Sequence, residues 1–315
     1  MPIQQRSQLK GFGQSTNEKY IVEDINSLNV NKQDALKGNG YLIVTANGTD
    51  IENAETLQAA YITAQSMSPS ATNRITIIAT PGYYNFQSTA FTLDTEYIDL
   101  VSLDGNRSVI FNSSDNLGTI SITANDVFVK GIDVQTKAFK IATNLNLLKV
   151  ENCKGGHSSF TISGGIVSGT FTDCTGGSDS FNGNTISGTF NNCVSGSNSF
   201  GYTYSAPREC SGKFTNCTAT SGFSACYQDF GGGGAASGTF NNCITTSTGF
   251  GFGQFGGVAS GTFNNCIAGG GFGVNGSLTG KLYYCRLTSG TFRTVSGSGK
   301  TRYCLDSTDT PNNQG

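Results

Sequence analysis

The chain has 315 residues, of which 13% are charged, with 19 lysines and arginines against 21 aspartates and glutamates and a net charge of −2. That length can bury a substantial core in one large domain or two ordinary ones, and basic residues so scattered offer no counterion-displacing track for nucleic acid. No stretch approaches the roughly 18 consecutive apolar residues that span a bilayer, so membrane insertion is not expected.

The opening Met1-Pro2-Ile3-Gln4-Gln5-Arg6 lacks the apolar core of a secretory signal and predicts synthesis in the cytoplasm. Residues 1–44 show no repeat and read as an irregular attachment or capping segment. A short amphipathic helix is predicted over 53–67, with Asn53 as N-cap and Ala54, Leu57, Ala60, Tyr61 and Ala64 on one face, ending near Ser68-Pro69. Alternating apolar runs follow at Ile75-Thr76-Ile77-Ile78, Ile98 to Leu103, Ile120-Ser121-Ile122 and Val127-Phe128-Val129. Such runs suit the coils of a solenoid, whose open end the helix would cover.

The helix, then Ile77-Ile78-Ala79-Thr80-Pro81-Gly82-Tyr83-Tyr84, then Asn125-Asp126-Val127-Phe128-Val129-Lys130-Gly131-Ile132, resemble pectate-lyase-like right-handed parallel β-helix proteins. The resemblance covers residues 50–305 and implies the handedness, which the coil pattern alone does not fix.

The second half repeats openly. Cysteines recur at 153, 174, 193, 217, 243, 266, 285 and 304, a period of 19–26 residues. Three positions earlier stand Val150, Phe171, Phe190, Phe214, Phe240, Phe263 and Leu282, with Thr301 breaking the series. Just before the cysteines stand Asn152, Asp173, Asn192, Asn216, Asn242, Asn265, Tyr284 and Tyr303. Further on comes a second aromatic series: Phe160, Phe181, Phe200, Phe223, Phe250, Phe272 and Phe292. Phased ladders of this kind mark a stacked solenoid.

Side chains alternate along a strand. In Ser168-Gly169-Thr170-Phe171, an inward Phe171 predicts an inward Gly169, with Ser168 and Thr170 facing solvent. Phe171 and Cys174 can both point inward only across a bend, and Asp or Asn tolerates the positive φ a bend requires. Stacking at about 4.8 Å per coil would then give columns of Phe, Cys and buried Asn, the amides bonding to one another. The cysteines read as free, buried thiols, since parallel Cβ vectors at that spacing sit too far apart for a bridge. Cys210 and Cys226 fall outside the column, in loops, as either a reactive pair or filler. The fold class is therefore all-β: a parallel β-helix over 45–304 of about eleven coils, with repeats in 150–304 and a C-terminal tail at 305–315.

The Ser-Gly-Thr-Phe-Asn-Asn-Cys units at 237–243 and 260–266 resemble repeats in tail-fibre-like proteins of marine bacteriophages. That resemblance implies a virion fibre or adhesin made in the host cytoplasm, a homotrimer that contacts other virion proteins through its N-terminal segment.

Chemistry is sparse. Asp104, Asp115, Asp126 and Asp133 are the one acidic cluster that could serve a polysaccharide lyase or hydrolase, the alternative reading. They sit near strand ends or in turns, where solvated aspartates normally go, and that is the favoured reading. His157 has no evident partner and reads as a turn residue. No metal-ligand spacing, nucleophile motif or cofactor signature appears, so no catalytic, metal or cofactor residue is assigned. Three consecutive coils carry long connections at 201–210, 224–236 and 251–259, predicted to stack into one hump. They hold Tyr202, Tyr204, Arg208, Glu209, Tyr227, Asp229, Phe230, Phe252 and Phe255 among glycines. Aromatic rings with a few polar groups on such loops suit a receptor glycan or surface protein, or else pack on the solenoid or a neighbouring subunit. The pairs Ser168/Thr170, Ser187/Thr189, Ser237/Thr239 and Ser260/Thr262 form an outward array similar to ice-binding solenoids, interrupted by Lys213, Lys281 and Lys300; ice binding is the minor alternative.

Overall fold

A computed structural model describes residues 40–113, 119–135, 137–162, 165–198, 200–201, 209–226, 234–247, 249–253, 257–272, 277–289, 300–309 and 311–314. It is a parallel β-solenoid with one helix over the described residues. Its principal ladder runs through Tyr41–Val44, Ile75–Ala79, Ile98–Ser102, Phe128–Lys130, Lys149–Glu151, Thr170–Thr172, Thr189–Asn191, Lys213–Thr215, Thr239–Asn241, Thr262–Asn264, Lys281–Tyr283 and Lys300–Leu305. Each strand pairs in parallel with the next. The ladder thus begins at Tyr41, inside the segment expected to be irregular. The expected tail is also ordered in part, because Pro311–Gln314 folds back antiparallel on the last rung.

The helix spans Asp50–Ser66 and starts earlier than predicted. Its N-cap is Thr49, whose hydroxyl accepts from the Glu52 amide while the Glu52 carboxylate accepts from the Thr49 amide. This Thr-x-x-Glu capping box satisfies two orphan groups at once. Asn53 plays a different part. It is buried, accepts from the Gly48 amide and donates to the Tyr83 carbonyl, which ties the helix to strand Gly82–Asn85. Ala54, Leu57, Tyr61 and Ala64 face the first coils, as their spacing predicts, whereas Ala60 is only half-buried.

In the repeats the core is built from two phenylalanine stacks. Phe171, Phe190, Phe214, Phe240 and Phe263 stack with centroids 4.8–5.1 Å apart and planes within 5°. Phe160, Phe181, Phe200, Phe223, Phe250 and Phe272 form the second stack. Across the core the stacks meet edge to face, as with Phe181 and Phe190 at 5.8 Å and 89°. Offset stacking and edge-on contact are the two favoured aromatic geometries, and burying each ring contributes about 1.5–3 kcal/mol.

The predicted bend is present in every repeat. Asn152, Asp173, Asn192, Asn216, Asn242, Asn265, Tyr284 and Tyr303 all have φ between 48° and 56°. Rungs are joined by amide bonds from Asn192 to Asp173 (2.9 Å), and from Asn216 to Asn192, Asn242 to Asn216 and Asn265 to Asn242 (3.0 Å each). One expectation fails here. From Asp173 onward the ladder is exposed rather than buried, because the bend that turns Phe and Cys inward turns the residue between them outward. At the ladder's start Arg107 donates to the Asn152 side chain and to the Asp173 carbonyl.

The eight column cysteines are buried, free thiols. Each Sγ lies between two carbonyls, as Cys217 does with Thr215 (3.4 Å) and Phe190 of the preceding coil (3.3 Å). Cys210 lies in strand Glu209–Cys210, not in a loop. It is buried in a different column with Val167, Ile186, Ala236, Ala259 and Leu278, its Sγ 2.9 Å from the Phe200 carbonyl. The expected alternative of a bond to Cys226 involves a side chain outside the described residues. Ser168 is buried, contrary to expectation, and Gly169 beside it has φ +93° where the later glycines of its column do not.

Candidate recognition surface

The three long connections leave and re-enter the solenoid on adjacent rungs. They return at Glu209–Cys210, Ala235–Ala236 and Val258–Ala259, which pair in register as Glu209 with Ala235 and Ala235 with Val258. At this base Ser237 donates to the Glu209 carboxylate at 2.7 Å. Two of the connections begin as strands, not loops. Gly222–Cys226 and Gly249–Gly253 form a separate two-stranded parallel sheet, with Phe223 opposite Phe250 and Ala225 opposite Phe252. The signal for it was present as alternation in Gly249-Phe250-Gly251-Phe252-Gly253, yet glycine weakens strands and hid it.

Of the expected binding residues, Tyr202, Tyr204, Arg208, Tyr227, Asp229, Phe230 and Phe255 lie outside the described residues, as does the side chain of Phe252. What the structure supplies is the frame that carries them. The insertions spring from neighbouring coils about 4.8 Å apart, on one flank of a rigid core.

The alternative catalytic cluster is dispersed among structural contacts. Asp104 accepts from Ser102 and Ser108 hydroxyls and the Asn106 amide, and these bonds hold its carboxyl down at about 2. Asp126 pairs with Arg74 at 2.8 Å, and Asp133 with Lys154 at 3.0 Å. Asp115 lies outside the described residues. Sequence reasoning missed Asp99, which is buried, takes both the Nε (2.7 Å) and an Nη (3.0 Å) of Arg74, and accepts from the Phe128 amide. That cluster pins three early coils together. His157 does have partners: Asp179 of the next coil at 2.8 Å and the neighbouring Ser158 hydroxyl at 2.7 Å.

The outward array is regular on the principal ladder, where Thr170, Thr189, Lys213, Thr239, Thr262, Lys281 and Lys300 succeed one another in register. Beside it Asn264 donates to Asn241 at 2.8 Å. Among the described residues no group of three His, Cys, Asp or Glu could hold a metal ion, and no helix is long and apolar enough to cross a membrane.

Comparison with protein-family models, with curated proteins and with solved structures finds no match to this chain.

Proposed function

We propose that this protein is a fibre or adhesin component of a virion that binds a host-surface glycan or protein through the 201–259 flank, without catalysis. The observation that supports this reading is the anchoring of three consecutive insertions on adjacent rungs of one flank. A rigid solenoid holds such insertions in fixed relation, which lowers the ordering cost of binding. In this reading the particle contains a homotrimer, attached through the N-terminal segment to other virion proteins.

The test is binding of the purified chain to a panel of bacterial cells and their extracted polysaccharides, followed by measurement of new chain ends. Saturable binding without cleavage supports an adhesin. Cleavage replaces it with a polysaccharide lyase or hydrolase, and inhibition of ice growth in the same preparation replaces it with an ice-binding solenoid. Monomeric mass both in solution and in assembled particles removes the trimer.

A further inference from the structure

The flat face of the solenoid changes character at its C-terminal end. Over the middle coils its outward positions are Thr170, Thr172, Thr189, Asn191, Thr215, Thr239, Asn241, Thr262 and Asn264, with Lys213 the single cation among them. On the last two coils the same positions become Lys281 and Tyr283, then Lys300 and Arg302. The adjoining corner column changes from Asn265 to Tyr284 and Tyr303, and Arg286 stands on the next outward column.

These groups are adjacent by register. Lys281 lies opposite Lys300, and Tyr283 opposite Arg302. Tyr284 and Tyr303 stack at 5.1 Å and 11°, yet remain 63% and 65% exposed. Arg286 pairs with Asp309 at 3.0 Å, whereas Lys281, Lys300 and Arg302 have no acidic partner among the described residues. Like charges placed directly opposite on neighbouring strands destabilise a sheet, so the fold gains nothing from this arrangement. A partner of opposite charge would.

We propose that the last two coils form a binding platform for an acidic polysaccharide. The cations would meet carboxylates or sulfates recurring along the polymer, and the exposed phenol edges would meet sugar hydroxyls and C–H faces. Nucleic acid fits less well. Sequence-tolerant nucleic-acid sites space single rings on which successive bases stack, whereas Tyr284 and Tyr303 stack on each other at 5.1 Å. The platform lies on a different part of the chain from the 201–259 loops and stands if that reading fails.

The full-length protein is passed at low salt over immobilised polygalacturonate and over immobilised heparin, with neutral dextran as reference, and a single-stranded oligonucleotide serves as competitor. Retention on at least one acidic polymer, absent on dextran and lost with added salt, is expected. The variant K281Q/K300Q/R302Q should bind about tenfold or more weakly, and Tyr303→Ser should weaken binding with the charges intact. Lys213→Gln should bind as the parent does, which confines binding to the last two coils of this face. Melting curves guard against misfolding, and the single Lys300→Glu variant is the substitute if the triple variant melts early. Absence of retention, retention unchanged in the triple or substitute variant, or complete displacement by the oligonucleotide would overturn the proposal.

Discussion

Gly212 lies directly over Gly188, so close that a Cβ on Gly212 would overlap the Gly188 carbonyl oxygen. The same superposition recurs at Gly238 over Gly212, Gly261 over Gly238 and Gly280 over Gly261. This contact explains the glycine two residues before the inward Phe or Leu at positions 188, 212, 238, 261 and 280: coils join here backbone to backbone, and the neighbour that must give way is a main-chain carbonyl. Gly212→Ala should therefore lower stability by about 1–3 kcal/mol, while Ser187→Ala, exposed one residue before Gly188, should stay within about 0.5 kcal/mol. Thermal or denaturant unfolding of the two variants tests this, and equal stability would refute the packing argument.

Phe214 is sandwiched between Phe190 at 5.0 Å and Phe240 at 4.8 Å, with Phe223 edge-on at 5.3 Å. Truncation to Ala leaves a cavity that a stacked core cannot close, so a loss of about 3–5 kcal/mol is expected. Phe214→Leu should lose clearly less. Equilibrium unfolding in urea gives the comparison.

Asn216 combines a φ of 54° with two ladder bonds, donating to Asn192 and accepting from Asn242. Asn216→Gly removes the bonds and keeps the backbone comfortable, whereas Asn216→Ala removes both. The Ala variant should be the less stable by about 1 kcal/mol, and the order Asn, Gly, Ala in melting temperature is the readout. Ala as stable as Gly would show that the bend carries no strain.

These three sites also show how far the pattern could be read without coordinates. Side chains that recur at one phase betray stacking, because each meets its own kind on the next coil; Phe214, Cys217 and Asn216 were legible for that reason. Contacts between unlike residues leave no such trace. His157 with Asp179, Arg74 with Asp99, and Arg107 at the foot of the Asn ladder each join different residue types across sequence separations set by coil length. Thr49 was a different miss: its capping box with Glu52 is written in the chain, but Asn53, another good N-cap residue, stands close by. The exposure of the Asn column depends on which way a bend swings, and residue type alone does not state that. Of the proposed binding flank, the gaps between ladder residues showed that three consecutive coils carry insertions, and the side chains expected to bind lie outside the described residues.

Asp104 offers a pH test. Its carboxyl is held from 3.8 down to about 2, chiefly by the Ser102 hydroxyl, then by Ser108. A depressed folded value means the charge stabilises the fold above the unfolded value and ceases to do so as pH falls through the folded one. The stability advantage of the parent over Asp104→Asn should hold at neutral pH and shrink between about pH 4 and pH 2. A difference independent of pH would assign the effect to shape alone.

Burial pushes the thiols of Cys153 and Cys193 up from their ordinary value. Thiolate is the reactive form, so iodoacetamide at about pH 8 should leave Cys153 and Cys193 unmodified in the native protein, and burial shields the sulfurs of the other six column cysteines from the reagent; all eight should be alkylated after unfolding. Peptide mass mapping reads the outcome, and labelling of Cys193 in the native state would contradict its place in the core.

Pro311–Gln314 runs antiparallel to Lys300–Leu305, and this reversal covers the edge of the last parallel rung. Every internal rung ends as a parallel edge that the next rung accepts, so an uncovered Lys300–Leu305 would offer a second molecule the same template the chain offers itself. The returning segment meets that edge in the opposite direction. It works as a full stop to the parallel ladder: the edge that could otherwise seed pairing with a second molecule is occupied by the chain's own returning strand.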